Sequence, residues 1–293
     1  MKNLKVTEKY NNKKLVNFLL DNIDGISIST IYKTLRKKDI KINDKRTSEN
    51  CLLRTGDDIK IYLPDNLLQK DLNIPIVFED DNIIIFNKPA GIEVTGESSL
   101  SSYAKKLFFN NINKFIEPCH RLDRNTSGLV LFARNKSSLD ILLDAFKNHL
   151  IEKHYICVVY GIPKKKSERL ESYLFKDSKK SMVYLSDNLK PGYQKIITSY
   201  KILKINKTKN ISLLDITLET GKTHQIRAHL AHIGCPILGD GKYGINKINK
   251  NFKLKTQALS SYSINFNFPS VNQLSYLNGK TIKQDKIPFI NLL

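Results

Sequence analysis

C-H-R-L-D-R-N-T-S-G-L-V-L-F-A, residues 119–133, carries one carboxylate just before a run of apolar residues. This carboxylate is Asp123, and Arg121 and Arg124 stand on either side of it. Nearby guanidinium charge favours the anionic form, which a nucleophile or a general base requires. An aspartate between arginines is more commonly a surface ion pair, so the surrounding sequence must decide between the two interpretations.

The sequence around this segment predicts a mixed fold. Residues 126–128 are small and turn-forming, so they predict a loop that carries Asp123 and leads into a strand starting at Leu129. Apolar and β-branched runs predict strands at residues 83–86, 129–132, 155–160 and 211–218, and an amphipathic pattern predicts a helix at residues 137–146. These elements predict an α+β domain over residues 76–293, built on a mainly antiparallel sheet with flanking helices.

A smaller α+β domain is predicted over residues 1–63. Helical spacing of apolar residues predicts two short helices, and alternation of apolar and polar residues predicts two small strands. The helices are residues 13–23 and a segment that is capped by Ser27 and contains Ile31 and Leu35, and the strands are residues 40–42 and 59–63. Residues 64–75 are polar and bracketed by prolines, so they predict a linker.

The charge of the chain points to a polyanionic partner. The sequence has 48 lysines and arginines against 28 aspartates and glutamates, which gives a formal net charge of +20. Such a charge concentrates nucleic acid at the surface and makes its binding depend on salt. The alternative is a lysine-rich proteome that raises the charge of every protein, and only motifs can separate the two explanations.

The N-terminal residues resemble a known RNA-binding module. S-I-S-T-I-Y-K-T-L-R-K-K-D-I-K-I-N-D-K-R, residues 27–46, and L-R-T-G-D-D-I-K-I, residues 53–61, are similar to the alpha-L module of ribosomal S-four type. The resemblance implies that one basic side of this domain contacts RNA, through Lys33, Arg36, Lys37, Lys38, Lys41, Lys45 and Arg46. A solvated basic face on an ordinary helix and strand unit is the alternative interpretation.

A second resemblance covers the larger domain. H-R-L-D-R-N-T-S-G-L, residues 120–129, is close to the signature of the RluA-type pseudouridine synthases. Further motifs occur in the order of that family: N-K-P-A-G at residues 87–91, K-H-Y at 153–155, T-G-K-T-H-Q-I-R at 220–227 and G-C-P-I-L-G-D at 234–240. The resemblance implies the fold of that family and its reaction, the isomerisation of uridine to pseudouridine in a structured RNA.

The same resemblance implies roles for individual residues. Asp123 would be the catalytic carboxylate, Arg227 would pair with it, and Tyr155 would stack on the uracil and take part in late proton transfer at C5. Arg121 is expected to enter the RNA helix where the flipped nucleotide leaves it, and Arg124 to contact RNA beside it. Supporting positions are Asn87, Lys88, Pro89, Lys222 and His224, and Lys222 stands where the family usually has arginine.

The implied reaction involves neither a net redox change nor hydrolysis, so we expect no cofactor and no metal. The N1–C1′ bond breaks, the uracil turns, C5 joins C1′, and the C5 proton leaves. Asp123 would attack C1′ or remove a proton from C2′, and the sequence leaves both routes open. By analogy with the family, the expected partner is large-subunit ribosomal RNA or a ribosome precursor.

Two other functions remain open. A catalytically silent RNA-binding or ribosome-assembly factor would share the charge and the N-terminal module, but it would not need Asp123, Tyr155 and Arg227 together. A zinc-dependent hydrolase would draw its ligands from the histidines His120, His224, His229 and His232. The spacing of these histidines argues against that site, because His224 and His229 are five residues apart and no H-E-x-x-H occurs.

Cysteine usage and hydropathy predict the compartment. The four cysteines, Cys51, Cys119, Cys157 and Cys235, are far apart and form no C-x-x-C pair, so we expect reduced thiols. No apolar run has the length that spans a bilayer, and residues 1–5 are not followed by a signal-peptide core. We therefore expect a cytoplasmic protein that acts as a monomer and does not contact a membrane.

Overall fold

The chain divides into two units in the computed structural model, Met1–Asn73 and Ile74–Leu293. The structure describes residues 2–23, 26, 28–62, 73–108 and 115–293. Most of the predicted linker, residues 64–75, lies outside the described residues, so the linker stays a prediction. Each unit has its own sheet and its own buried core.

The described part of the N-terminal unit contains two α-helices and a four-stranded sheet. The elements are β1 Lys2–Lys5, α1 Leu15–Asn22, α2 Ile28–Arg36, β2 Ile40–Ile42, β3 Lys45–Thr47 and β4 Asp58–Ile61. The strand order is β1-β4-β2-β3, and every pair is antiparallel. Ile31 and Leu35 of α2 are fully buried while Lys33 and Arg36 are exposed, the pattern of an amphipathic helix on a core.

The predicted helices and strands of this unit correspond to α1, α2, β2 and β4. The structure adds β1 and β3, whose mostly polar residues give no alternating pattern. Ser27, the predicted cap of the second helix, and Leu63, the end of the second predicted strand, lie outside the described residues.

The larger unit is an α+β fold around one sheet, which has eleven strands among the described residues. The strands are β5 Ile76–Glu79, β6 Ile83–Lys88, β7 Glu117–Pro118, β8 Ser127–Ala133, β9 Ile151–Tyr160, β10 Ser167–Asp177, β11 Met182–Ser186, β12 Gln194–Asn206, β13 Ile211–Leu218, β14 Leu259–Phe266 and β15 Thr281–Lys283. Their order is β11-β10-β12-β13-β9-β14-β8-β6-β5, with β7 beside β8 and β15 beside β14. The predicted α+β class with a mainly antiparallel sheet is confirmed.

Four α-helices accompany this sheet in the described part of the unit: α3 Leu100–Leu107, α4 Lys136–Lys147, α5 Gln225–His232 and α6 Asn246–Asn251. Capping side chains mark where two of them begin. Ser99 accepts a hydrogen bond from the backbone N–H of Ser102, and Asn135 accepts one from that of Ser138. Among the helices described, none is long and apolar enough to cross a membrane.

The start of β8 is set by its neighbour β14, the strand with which it pairs in parallel. Ser127 and Gly128 lie opposite Ser260 and Ser261, so β8 begins two residues before the predicted start at Leu129. Gly128 has a φ of +108°, and a Cβ at this position would overlap the backbone of Ser261. The prediction of a turn at Ser127 and Gly128 is therefore wrong, because this glycine allows two strands to approach closely.

Candidate active site

Asp123 lies in a tight turn between β7 and β8. The backbone N–H of Thr126 donates to the carbonyl of Asp123 at 3.0 Å, which closes the turn. The buried hydroxyl of Thr126 accepts a hydrogen bond from Nε2 of Gln257 at 2.6 Å. A side chain 131 positions along the chain therefore helps to hold the loop in place.

Lys88, in the N-K-P-A-G segment, holds the same loop in place by hydrogen bonds. Its side chain is fully buried, and its ammonium donates to the carbonyls of Pro89, Ile92 and Arg124 at 3.0, 2.9 and 3.1 Å. Burial lowers the pKa of Lys88 to about 8, although the charge of Asp123 opposes this shift. This ammonium thus joins the segment after β6 to the loop that carries Asp123.

Arg227 connects Asp123 to a second carboxylate. Its Nη1 donates to Oδ2 of Asp123 at 2.9 Å, and its Nε and Nη2 donate to the two oxygens of Asp240 at 2.7 and 2.9 Å. Asp240 also accepts hydrogen bonds from the backbone N–H groups of Lys242 and Tyr243. A two-point fork of this kind fixes the plane of the guanidinium, so Asp240 orients Arg227 towards Asp123.

Asp240 and Arg227 stabilise each other in their charged forms. Burial disfavours the charged form of Asp240. The hydrogen bonds and the charge of Arg227 outweigh this effect of burial, so the pKa of Asp240 lies below its usual value. Burial likewise opposes the charge of Arg227, and the hydrogen bonds to Asp240 and Asp123 raise the pKa of Arg227 nonetheless. A permanent cation therefore stands beside Asp123.

The arginines next to Asp123 in the sequence do not supply this cation. Arg124 donates its Nε to the carbonyl of Gly91 at 2.9 Å, because the segment after β6 lies against the loop. Arg121 is exposed and lines the groove in front of the site. The expected effect of these two guanidinium groups on the carboxylate stays a prediction; among the described residues, the arginine that donates a hydrogen bond to Asp123 is Arg227.

Tyr155, on β9, lines a cavity of about 100 Å³ together with Asp123 and Arg227. The tyrosine is only 5% exposed. Burial, and after it the charge of Asp123, raises the pKa of the Tyr155 hydroxyl well above its usual value. The cavity therefore presents a neutral phenol and a flat ring beside a carboxylate, a surface on which a nucleobase can stack.

His224 closes the cavity from the start of α5. Its Nε2 lies 3.9 Å from Oδ2 of Asp123, and its Nδ1 lies 2.9 Å from the hydroxyl oxygen of Tyr243. That oxygen accepts a hydrogen bond from the backbone N–H of Val183 at 2.9 Å. Burial lowers the pKa of His224, although the charge of Asp123 opposes this effect. A neutral imidazole thus stands next to the carboxylate.

A larger groove of about 1120 Å³ shares the walls of this cavity around Asp123. Its cationic side chains are Arg121, Arg124, Lys153, Lys176, Lys222, Arg227 and Lys242. Against these stand the carboxylates of Glu93 and Asp123. The excess of positive charge suits a polyanion whose reacting part enters the small cavity.

The structure brings seven of the predicted site residues together around the two cavities: Arg121, Asp123, Arg124, Tyr155, Lys222, His224 and Arg227. Behind them, the backbone N–H of Asn87 donates to the carbonyl of Pro75 at 2.8 Å. Asp240, Tyr243 and Lys153 also belong to the site, although the sequence alone assigns them no role. Their motifs are visible in the sequence, but contacts between distant motifs are not.

The remaining basic residues predicted to bind RNA belong to the N-terminal unit. Six of them are exposed: Lys33, Arg36, Lys37, Lys38, Lys45 and Arg46. Lys41 is partly buried, with its ammonium 5.7 Å from the ring centroid of Tyr62.

The four histidines considered for a zinc site have separate partners. His229 contacts the Thr198 hydroxyl at 3.0 Å, and His232 contacts Asp187 at 2.7 Å. Nε2 of His120 accepts a hydrogen bond from the backbone N–H of Leu131 at 3.1 Å. His224, as described above, stands between Tyr243 and Asp123.

Comparison with known proteins places this site in a family. A sequence model described as RNA pseudouridylate synthase matches residues 82–232, a range that contains Asp123, Tyr155 and Arg227. A ribosomal large subunit pseudouridine synthase C of Buchnera aphidicola, from Acyrthosiphon pisum, is 35% identical over 92% of this chain and 90% of the relative. A protein of the same name from Rickettsia bellii is 37% identical over 74% of this chain and 78% of the relative.

Two solved human structures share the fold. RNA Pseudouridylate Synthase Domain Containing 4 has a TM-score of 0.59 and 20% identity, over 74% of this chain and 90% of that chain. RNA Pseudouridylate Synthase Domain Containing 1 has a TM-score of 0.59 and 17% identity, over 79% and 95%. Because the family match spans half of the sequence and the Buchnera relative aligns over almost all of it, the chain belongs to the RNA pseudouridylate synthase family, which isomerises uridine in RNA.

Proposed function

We propose that this chain isomerises uridine to pseudouridine in large-subunit ribosomal RNA, with Asp123 as the carboxylate that acts at the ribose. The observation that carries the proposal is the position of Asp123, which lines both the basic groove and the small cavity and accepts a hydrogen bond from Arg227. The relatives at 35% and 37% identity are named as synthases of the ribosomal large subunit, which favours that RNA as the substrate.

The side chains of the site suit each step of this reaction. The uridine leaves the RNA helix and its base enters the cavity against Tyr155, while Arg121 occupies the vacated position. Asp123 attacks C1′ or removes a C2′ proton, the N1–C1′ bond breaks, and C5 joins C1′ after the uracil has turned. The C5 proton then leaves, and the neutral hydroxyl of Tyr155 is suited to pass it on. Arg227 holds Asp123 in its orientation throughout by the hydrogen bond from Nη1.

The rest of the chain serves RNA binding in this proposal. Arg124 and Lys222 contact the RNA backbone along the groove, and the exposed lysines of the N-terminal unit add phosphate contacts that place the enzyme on a large folded RNA. The protein acts as a monomer in the cytoplasm, where it meets ribosomal RNA or a ribosome precursor.

Mapping of pseudouridines tests the proposal. Ribosomal RNA is compared between a strain with this protein, a strain without it, and the deletion strain that expresses either the wild-type chain or the Asp123→Asn variant. We expect one or more large-subunit sites to be lost on deletion and restored by the wild-type chain alone. Loss of no site, or restoration by the Asn variant, would overturn the proposal.

A further inference from the structure

Lys153 is a cation of the site that the proposed reaction leaves without a role. It lies on β9 two residues before Tyr155, so the two side chains leave the strand on the same face. Both line the small cavity with Asp123, and Lys153 also lines the larger groove. Lys153 therefore belongs to the walls of both the cavity and the groove.

In the described part of the chain, the ammonium of Lys153 has no carboxylate partner. Asp123 is paired with Arg227, and the neighbouring Glu152 lies 3.6 Å from Nε2 of His154. The Nζ atom instead lies 5.0 Å from the ring centroid of Phe146. Burial lowers the pKa of Lys153 to about 8, which shows that the protein stabilises this charge poorly by itself.

Two other cations of the groove are already engaged. Arg227 is bound to two carboxylates, and Lys242 donates to the carbonyl of Ser181 at 2.6 Å. A partly buried ammonium without an anion is costly, so this position suits a ligand that brings a negative charge.

We propose that Lys153 binds a phosphate that adjoins the flipped uridine and so fixes its ribose over Asp123. The inference rests on the proposed function and names the group that positions its substrate. Residues two apart on a strand are separated by roughly 6.5 Å, which is comparable with the distance between a nucleobase and its own phosphate. With the uracil against Tyr155, the phosphate next to that nucleotide is the anion that reaches Lys153.

A double-mutant cycle between protein and RNA tests this contact. Wild-type, Lys153→Gln and Lys153→Arg proteins are assayed on one RNA with a single target uridine, and on the same RNA with neutral methylphosphonate linkages at the two phosphates beside it. Both kcat/KM and Kd are measured. We expect Lys153→Gln to lower kcat/KM about tenfold, mainly through KM, because one charged hydrogen bond is lost. Arginine should restore most of this loss.

The neutral linkages should lower kcat/KM of the wild-type protein by a similar factor and leave kcat/KM of Lys153→Gln almost unchanged. This is expected because the substitution and the neutral linkages remove the same contact. The slope of log affinity against log salt should also become shallower by roughly 0.7 to 0.9 in Lys153→Gln. Lys147→Gln, which removes an exposed charge outside the groove, is the matched control and should behave as wild type.

The inference would be overturned if the losses of kcat/KM and affinity caused by Lys153→Gln and by the neutral linkages added up when the two changes are combined. It would also be overturned if Lys153→Gln had the kinetics and the Kd of the wild-type protein. Failure of the proposed function gives a different result, since the wild-type protein would then form no pseudouridine on the unmodified RNA. The same double-mutant cycle, measured by Kd alone, would still decide whether Lys153 contacts the phosphate.

Discussion

Arg227 stands between two carboxylates whose exposure differs, and this difference separates their roles. Asp240 is fully buried, whereas the Asp123 side chain is 27% exposed towards the cavity. Breaking a buried ion pair costs about 3–5 kcal/mol of unfolding free energy, so we expect Asp240→Asn to unfold at a markedly lower urea concentration. It should also lower kcat more than KM, because Arg227 loses the fork that aims it at Asp123.

Glu219→Gln is the matched control for this variant. Arg169 and Glu219 form the same two-point fork, with both distances at 2.7 Å, but both side chains are about half exposed. Solvent screens such a pair, so its loss should change stability far less and leave kcat unaltered. Equal losses in the two variants would contradict the positioning role of Asp240.

At the residue scale, motifs identify which side chains belong to the site but not how they contact one another. Asp123 and Arg227 are 104 positions apart, and nothing in either motif states that they share a hydrogen bond. The family resemblance supplied that pairing, and the structure contains it. The fork from Arg227 to Asp240 and the contact of the Lys153 ammonium with the ring of Phe146 depend on side-chain directions that local sequence does not encode.

At the element scale, α5 is a short helix that is buried along most of its length. Its residues from Gln225 to Leu230 are all buried, and His229 is 1% exposed with its Nδ1 at 3.0 Å from the Thr198 hydroxyl. Burial, and after it the charge of His232, lowers the pKa of His229 to about 4, against an opposing effect of Asp187. The packing of the helix that carries Arg227 therefore requires His229 to be neutral.

The low pKa of His229 makes the stability of the fold depend on pH. Between pH 6.5 and 4, His229 binds a proton in the unfolded chain but not in the folded one, so stability falls as pH falls through this window. We expect His229 to contribute up to about 3 kcal/mol to that loss. Urea unfolding at several pH values should give a flatter curve for His229→Gln than for wild type. Parallel curves would contradict this account.

Strands with one charged face are difficult to predict from the alternation of apolar and polar residues. In β10, Arg169 and Glu171 are exposed, while the inward residues include Ser172 as well as Leu170 and Leu174. The alternation exists, but a buried serine and several charges make it weak in the sequence. Strands with continuous apolar runs, such as β6 and β8, are predicted correctly except at their ends, because both of their faces are covered.

At the scale of the whole molecule, the two units divide binding from chemistry in the proposed function. Removal of residues 1–63 should weaken RNA binding more than it impairs the active site. Because phosphate contacts release counterions, the slope of log affinity against log salt should become shallower by roughly 0.7 to 0.9 for each lost contact. Turnover at saturating RNA should largely survive. Salt titrations of both proteins on one RNA measure the difference.

A full-length variant provides the control for this deletion. Replacing Lys33, Lys37, Lys38 and Lys45 with Gln keeps the N-terminal unit and removes four exposed charges. Its salt dependence should also become shallower. Equal slopes and equal affinities for all three proteins would rule out a role for this unit in binding that RNA.

Replacement of the Asp123 carboxylate by an amide tests whether this side chain performs the chemistry at the ribose. Purified wild-type and Asp123→Asn proteins are given the same ribosomal RNA fragment, and pseudouridine formation and RNA affinity are measured in parallel. Asn keeps the shape of the side chain but removes its charge, so we expect unchanged folding, an affinity close to wild type and no detectable isomerisation. Conversion of uridine by the Asn variant at the wild-type rate would contradict it.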